Sequence, residues 1–320
     1  LVDALDADGH VSAAFDELVI VVKATPTDTE ARGRLVGLAT RAGRDAELLA
    51  VLEAAANEST DDALRASLRL DVARLIESRE GDTEGTVRAL ERVLEERGTG
   101  KDTALEALTR LAEIHRRGDR VQERLDALER RVALVTDEAE RLAAWSEIAR
   151  SATAAGMIDR AIDAWAQCLE IDPRDRVALD ASIMLLAQAE RHEALVVTLR
   201  RRIASFGESI ERRVDLVRVA RLEAKELGRP EQAVETWRLV ADAFGEDTEV
   251  VDALCALYVA LERDDDLAKL LARAEDREGA HLVELRVSLA DLLRTRLGER
   301  ARAVVAYRRA LDVAPNNQDA

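Results

Sequence analysis

The sequence predicts an all-α protein, and three features of its composition support that fold class. Of the 320 residues, 48% are hydrophobic but only 2% are aromatic, and Ala, Leu and Val dominate the apolar part. Ala and Leu lose little side-chain freedom in a helix, whereas aromatic and β-branched residues lose more. Only four prolines and fifteen glycines interrupt the chain, too few for the many tight turns of a sheet-rich fold.

The predicted helices form a repeat, which is clearest between Leu142 and Pro173. In order, this unit contains Trp145-x2-Ile148-Ala149-x2-Ala152, Gly156, Ala161-x3-Trp165-x2-Cys168 and Pro173. Apolar residues at i, i+3, i+4 and i+7 place one stripe on the first helix, and the glycine predicts a turn before the second helix. The small alanines allow two helices to approach closely. This spacing resembles the tetratricopeptide (TPR) signature, W-x2-L-G-x2-Y followed by A-x3-F and Pro.

The unit returns along the chain and alternates with a second type that has a Leu-rich second helix. Glycines of like units fall 75, 75, 72 and 70 residues apart, from 43 to 118, 81 to 156, 156 to 228 and 228 to 298. Two hairpins therefore make one period. The predicted boundaries are a partial repeat at 1–27 and hairpins at 28–58, 60–98, 102–136, 137–173, 174–206, 209–246, 247–278 and 280–315.

The resemblance implies a right-handed α-solenoid, or superhelix, of about eight to nine TPR-like helix-turn-helix hairpins. No shift in composition divides the chain, so we expect one continuous solenoid over residues 1–320. Because the chain begins in mid-repeat and ends on Pro315-Asn316-Asn317, where another helix would start, we also expect it to be a fragment of a longer protein.

Local chemistry marks several helix starts. Pro230 suits the first turn of a helix, where its missing N–H would have no partner in any case. Short polar side chains at N-caps accept hydrogen bonds from the first backbone N–H groups. The candidates for N-cap or near-cap positions are Asp28, Ser59, Asp102, Asp137 and Asp247.

Charge argues against nucleic acid and membrane partners. The chain carries 64 acidic and 47 basic residues, a net charge of −17, and would repel phosphates and anionic lipid surfaces. Basic runs such as Arg200-Arg201-Arg202 have acidic neighbours, so we interpret them as solvated helix faces. No apolar run approaches the ~18–20 residues that span a bilayer. The distant Cys168 and Cys255 favour a reducing compartment such as the cytoplasm, although the localisation stays open.

The sequence offers no arrangement typical of an enzyme, a metal site or a cofactor site. The four histidines lack metal-binding spacing, and His115, Cys168 and Cys255 fall at packing positions. Gly98-Thr99-Gly100-Lys101 lacks the first glycine of a phosphate-binding loop, because residue 95 is Glu. The run Asp264–Asp266 could bind a cation, but it is more typical of a solvated turn. We therefore predict a protein that is not an enzyme and holds no cofactor.

The resemblance implies a protein–protein interaction scaffold that binds a protein or peptide in its concave groove, which first helices line. By that resemblance the groove-facing residues are Arg74, Glu113, Arg150, Met184, Arg221 and Asp252. Arg74, Arg150 and Arg221 each follow a small alanine and could bind carboxylates of a partner bidentately. The alternative is that each of these arginines pairs with an acidic residue of the next hairpin.

Two other functions remain open at this stage. The chain could be a regulatory or sensory segment of a larger signalling protein. It could also be structural, because exposed solenoid ends would allow self-association into dimers or filaments.

Overall fold

The computed structural model describes residues 2–78, 82–206, 210–275 and 282–314, and these residues form helices without any strand. The all-α prediction is therefore confirmed. In chain order the helices are α1 (Val2–Ala7), α2 (Val11–Ala24), α3 (Thr29–Ala42), α4 (Asp45–Glu58), α5 (Asp62–Ser78), α6 (Thr83–Glu95), α7 (Lys101–Arg117), α8 (Val121–Val132), α9 (Glu138–Ala154), α10 (Ile158–Ile171), α11 (Arg176–Gln188), α12 (His192–Ser205), α13 (Ile210–Lys225), α14 (Pro230–Phe244), α15 (Thr248–Ala260), α16 (Asp264–Glu275), α17 (Leu282–Thr295) and α18 (Arg300–Val313).

Consecutive helices form tandem hairpins, with odd-numbered first helices and even-numbered second helices. The six-residue α1 and the longer α2 make an abbreviated hairpin at the start, and eight longer hairpins follow. The hairpins of the described residues therefore agree with the all-α solenoid of eight to nine hairpins that the sequence predicts. The chain divides into two compact units, Leu1–Gln167 and Cys168–Ala320, and the division falls inside α10. That residues 1–320 form one continuous solenoid stays a prediction.

Each unit has a core of buried residues contributed by successive hairpins. In the first unit Phe15, Leu35, Leu48 and Leu68 are among the fully buried side chains of one cluster. In the second unit the cluster includes Trp237, Leu254, Tyr258 and Leu270. The alanines that open the space for neighbouring helices, Ala73, Ala149, Ala220 and Ala290, have no exposed surface. Their burial supports the role that the repeat pattern assigned to small residues.

The turns within hairpins follow two conformations. Gly43, Gly156, Gly228 and Gly298 adopt left-handed backbone, with φ between 61° and 70°, which glycine tolerates without a steric penalty. The turn predicted at Gly118 is present, but there Gly118 has φ −86° and the next residue, Asp119, has the left-handed φ of 53°. Glu190 and Glu262 repeat this arrangement with φ 54°. The predicted turn at Gly81 lies outside the described residues, as do Gly207–Ser209 and Pro315–Asn317.

Three of the five predicted caps are confirmed. The side chains of Asp28, Asp137 and Asp247 accept hydrogen bonds from the N–H groups of Ala31, Glu140 and Val250. Pro230 occupies the first turn of α14 as predicted.

The other two predicted residues lie near a helix start but are not the N-cap. Ser59 follows the end of α4, and it is the Asp61 carboxylate that accepts from the N–H groups of Ala63 and Leu64. Asp102 lies inside the first turn of α7, after Gly100. The sequence analysis also missed two N-caps, Asp82 and Asp175, whose carboxylates accept from backbone N–H groups.

In the first unit a buried arginine ties two hairpins together. The Arg32 side chain is only 4% exposed, and its guanidinium donates to Asp71 at 2.8 Å, to the Ser67 hydroxyl at 2.6 Å and to the Pro26 carbonyl. A charge buried this deeply requires such partners. Arg32 therefore fixes α3 against α5.

In the second unit a buried glutamate has the same role. The Glu223 side chain, on α13, is 1% exposed. Its carboxylate accepts a hydrogen bond from Arg200 on α12 and another, 2.7 Å long, from the Thr236 hydroxyl on α14. Three successive helices therefore meet at one carboxylate.

We predict that Gly37→Ala stabilises the first unit. Gly37 lies inside α3, and a Cβ built there meets nothing within 4 Å. Alanine is favoured over glycine in a helix by about 0.5–1 kcal/mol, so the free energy of unfolding measured in urea should rise by about that amount.

Gly98→Ala is the matched control and should destabilise. A Cβ at Gly98 would lie 2.5 Å from the Cβ of Asp62 and 2.7 Å from the Ala63 nitrogen, so backbone must shift. Equal effects of the two substitutions would contradict the packing described for these glycines.

Candidate binding surface

Six first helices present three residues each, at i, i+4 and i+7, on one face, which we call the first-helix face. This spacing brings side chains to the same side of a helix. The triads are Ser67, Asp71 and Arg74 on α5; Glu106, Arg110 and Glu113 on α7; Ala143, Glu147 and Arg150 on α9; Val177, Ala181 and Met184 on α11; Val214, Arg218 and Arg221 on α13; and Asp252, Ala256 and Val259 on α15. All eighteen are exposed or half-exposed.

The structure places all six predicted residues on this face. Five of them are the last member of a triad, and Asp252 is the first member of its own. Three belong to the first unit and three to the second. The face is thus described separately in each unit.

In the first unit the face is occupied by ion pairs. Arg74 on α5 binds Asp71 at 2.9 Å and also Glu106 on α7. Glu106 in turn accepts from Arg110 at 3.0 Å, and Arg110 also binds Glu77. The hydrogen bond from Arg74 is the main cause that lowers the pKa of Glu106. Arg74 therefore follows the alternative interpretation, in which it pairs with the next hairpin.

Glu113 pairs within its own helix. Its carboxylate accepts from Arg116 at 2.7 Å and from Arg117 at 2.9 Å. Hydrogen bonding to the ionised form, first from Arg116 and then from Arg117, lowers the pKa of Glu113 to about 2. The carboxylate is thus already engaged.

Arg150 is the exception in the first unit. Its Nε donates to the Ser146 carbonyl at 3.0 Å, and it makes no ion pair with the residues that the structure describes. Arg150 therefore retains its capacity to bind a carboxylate.

In the second unit the face is apolar at α11 and α13. Val177 and Met184, two turns apart on α11, are 63% and 56% exposed, and Val214 on α13 is 57% exposed. Arg176 Nη2 binds both carboxylate oxygens of Glu211, at 3.0 and 2.8 Å, and so holds the starts of the two helices together. Val177 and Met184 thus share one face of α11, and Val214 lies on the corresponding face of α13.

A second set of ion pairs joins α11 and α13. Arg202 on α12 binds Asp215 on α13 and, at 2.6 Å, Asp180 on α11. Asp215 is buried, so its charge depends on this arginine. The hydrogen bond with Asp215 is the main cause that raises the pKa of Arg202.

The cationic residues of the α13 triad border this apolar surface. Arg221 donates to Glu249 on α15 at 2.6 Å, and its side chain remains 60% exposed. Arg218 is half-buried and forms no ion pair within the described part of the chain. Asp252 is exposed on α15. Arg221, like Arg74, therefore pairs with an acidic residue of the next hairpin.

Sequence analysis missed Val177 and Val214. The signal that could have found them is spacing, because each precedes a predicted residue, Met184 or Arg221, by seven positions. An isolated valine is ordinary on a surface, so neither is conspicuous until its helix face is known.

The described residues contain no group of three or more His, Cys, Asp or Glu side chains able to hold a metal ion. Asp264 and Asp266 pair with Arg296 and Arg263. His115 is buried, as its packing position predicted. Burial raises the pKa of the Cys255 thiol to about 11, which keeps it protonated and weakly nucleophilic. Among the helices described, none has the length and apolar character needed to cross a bilayer.

Comparison with known proteins gives structural likenesses alone. No family model matches the sequence, and no curated protein matches it. Solved structures that are similar include YrrB, a TPR protein with an unusual peptide-binding site, at 13% identity and a TM-score of 0.34, covering 55% of this chain and 88% of YrrB. A tetratricopeptide repeat protein from Parabacteroides merdae has 17% identity and a TM-score of 0.29, covering 79% of this chain and 94% of that one.

The TPR domain of P58(IPK) is a third likeness, with 15% identity and a TM-score of 0.28, covering all of this chain and 93% of that domain. The predicted resemblance to the tetratricopeptide family is confirmed in the helical-hairpin architecture, which the helices of this chain show by themselves. The function proposed below rests on the side chains of this chain.

We predict that Arg74→Glu and Arg150→Glu differ in stability. The first places a carboxylate beside Asp71 and Glu106, which should lower the free energy of unfolding by about 1–2 kcal/mol. The second removes no ion pair and should stay within about 0.5 kcal/mol of the parent. Urea denaturation of both variants measures the difference, and similar losses would disprove the assignment of Arg74 to an ion-pair cluster.

We predict that the Glu113 carboxyl titrates near pH 2. Because its folded pKa lies below the ordinary 4.5, the pairing stabilises the fold above that pH and is lost as pH falls toward 2. Carboxyl chemical shifts measured by NMR give the midpoint, and Arg116→Gln/Arg117→Gln should return it toward 4.5. A Glu113 midpoint near 4.5 in the parent would refute the pairing.

Proposed function

We propose that this chain is a non-enzymatic scaffold that binds a protein or peptide segment, and that the first-helix face of α11 and α13 is the ligand surface. The observation that supports it best is the exposure of Val177, Met184 and Val214 on helices that are tied together. Large apolar side chains clustered on one exposed surface are typical of interaction sites.

The chemistry of the surface defines the kind of ligand. Its apolar side chains require apolar partners, and Met184 adapts its shape easily to different ligands. Arg218 at the border favours a carboxylate, because its guanidinium group can bind one bidentately. An amphipathic segment with apolar anchors and adjacent acidic residues satisfies both, as when a helix lies in a groove.

The first unit supports this choice by contrast. At the equivalent positions Arg74, Glu106 and Arg110 are bound to one another or to Asp71 and Glu77. A ligand would have to replace those pairs, whereas at α11 and α13 the apolar side chains gain contacts without such a loss. Arg150 is the residue of the first unit that we assign to carboxylate binding.

The test compares two double variants, each of which replaces two exposed apolar side chains by glutamate. Met184→Glu/Val214→Glu alters the proposed surface, and Val197→Glu/Leu239→Glu alters second helices α12 and α14 at residues that are equally exposed, 59% and 56%. Each chain is immobilised, proteins captured from the source lysate are quantified by mass spectrometry, and a captured protein is then titrated in purified form.

We expect the first double variant to lose about tenfold or more of the affinity, since two apolar anchors each contribute about 1–2 kcal/mol. The second should bind like the parent. Equal binding by both variants would place the ligand elsewhere. If no partner is captured and Met184→Glu/Val214→Glu instead converts an oligomer to a monomer in light scattering, the surface joins copies of this chain and the scaffold proposal fails.

A further inference from the structure

A cavity of about 370 Å³ lies between α4, α5 and α6. Residues of α5 that line it, among them Arg69, Val72 and Ile76, are turned about 170° around the helix from the triad Ser67, Asp71 and Arg74, at 100° per residue. The cavity therefore opens on the opposite side of α5 from the first-helix face, and it is independent of the surface proposed above.

The exposed lining of the cavity is more polar than apolar, and its apolar part, which we call the floor, comes from four residues. Ala56 from α4, Val72 and Ile76 from α5, and Ala89 from α6 line it. Ala56, Val72 and Ala89 are buried and Ile76 half-buried. A volume of a few hundred Å³ lies at the lower end of the range of small-molecule sites. The floor therefore suits a short alkyl chain.

One wall is cationic. Arg88 and Arg92, one turn apart on α6, line the cavity and are exposed. Neither makes an ion pair or a side-chain hydrogen bond with any residue that the structure describes. The nearby Glu84 pairs with Arg120 instead, and the third lining arginine, Arg69, pairs with Glu96 at 2.5 Å. Two guanidinium groups thus face the cavity together with their donors available.

The rim limits the charge of the ligand. Glu53 and Asn57 of α4, Asp82 before α6 and Gly85 of α6 complete the lining. Arg69 is paired with Glu96, so Arg88 and Arg92 face two carboxylates, those of Glu53 and Asp82. A ligand with one negative charge, bound between the two arginines, meets the least repulsion from those carboxylates, whereas a polyphosphate would meet Glu53 and Asp82 without compensation. No aromatic side chain lines the cavity to stack on a nucleobase.

We propose that this cavity binds a small aliphatic carboxylate. The carboxylate lies between Arg88 and Arg92 and accepts their charge-assisted hydrogen bonds. The alkyl chain lies on Ala56, Val72, Ile76 and Ala89. The two halves of the ligand match the two kinds of surface that the three helices bring together, and no other contact is needed.

The test uses three probes on the whole chain, with binding followed by NMR. Octanoate has both features, 1-octanol has the chain without the charge, and acetate has the charge without the chain. Methyl signals of Val72 and Ile76 report occupancy of the floor. Arg88→Gln/Arg92→Gln removes the cationic wall, and Arg174→Gln/Arg300→Gln is the control, because both of those arginines are exposed and form no ion pair within the described ranges.

We expect octanoate to shift the Val72 and Ile76 methyl signals and to bind about tenfold or more tightly than 1-octanol or acetate. Arg88→Gln/Arg92→Gln should weaken octanoate about tenfold and leave 1-octanol unchanged, while the control variant binds all three probes as the parent does. The proposal is overturned if octanoate binds no better than 1-octanol, if it leaves both methyl signals unmoved, or if the two double variants bind it equally. A circular dichroism spectrum shows that each variant remains helical.

Discussion

The structure depends on one packing constraint: the apolar stripe of each hairpin is buried only when the next hairpin covers it. Ala73, Ala149, Ala220 and Ala290 mark the close approaches and have no exposed surface. Larger side chains, such as Leu68 and Trp237, fill the space beside them. Stability therefore comes from neighbouring hairpins, and residues elsewhere on each first helix remain available for other interactions.

The exposed residues of the first helices differ between the two units. At equivalent positions of the repeat, α5 and α7 carry charges that pair with one another, whereas α11 carries Val177 and Met184. Exposed ion pairs contribute little each, so a cluster such as Arg74 with Glu106 mainly sets register between hairpins. Apolar side chains at the same positions give no such benefit to the fold. Their presence is therefore better explained by a ligand.

The fold could be predicted because it depends on local patterns: alanines and leucines at helical spacing, with a glycine such as Gly156 at the turn. The site could be predicted only in part, since Arg74 and Arg221 were found but their partners were not. Glu106 lies 32 residues beyond Arg74, and that pairing depends on hairpin length and side-chain direction. The cavity beside Arg88 and Arg92 needs three helices, and no single segment of sequence contains that information.

The arginines also connect the two proposals. In a chain of net charge −17, a guanidinium group has many carboxylates within reach, and several ion pairs between hairpins, such as Arg202 with Asp215 and Arg74 with Glu106, use one. Bidentate, planar recognition makes arginine suited to this task, and lysine is a poorer substitute. Arg88, Arg92 and Arg218 lack an ion pair within the described residues, as Arg150, Arg174 and Arg300 do, but Arg88, Arg92 and Arg218 also lie beside the apolar side chains of a cavity or of a helix face. At those positions an acidic ligand would supply the carboxylate that pairs with the arginine.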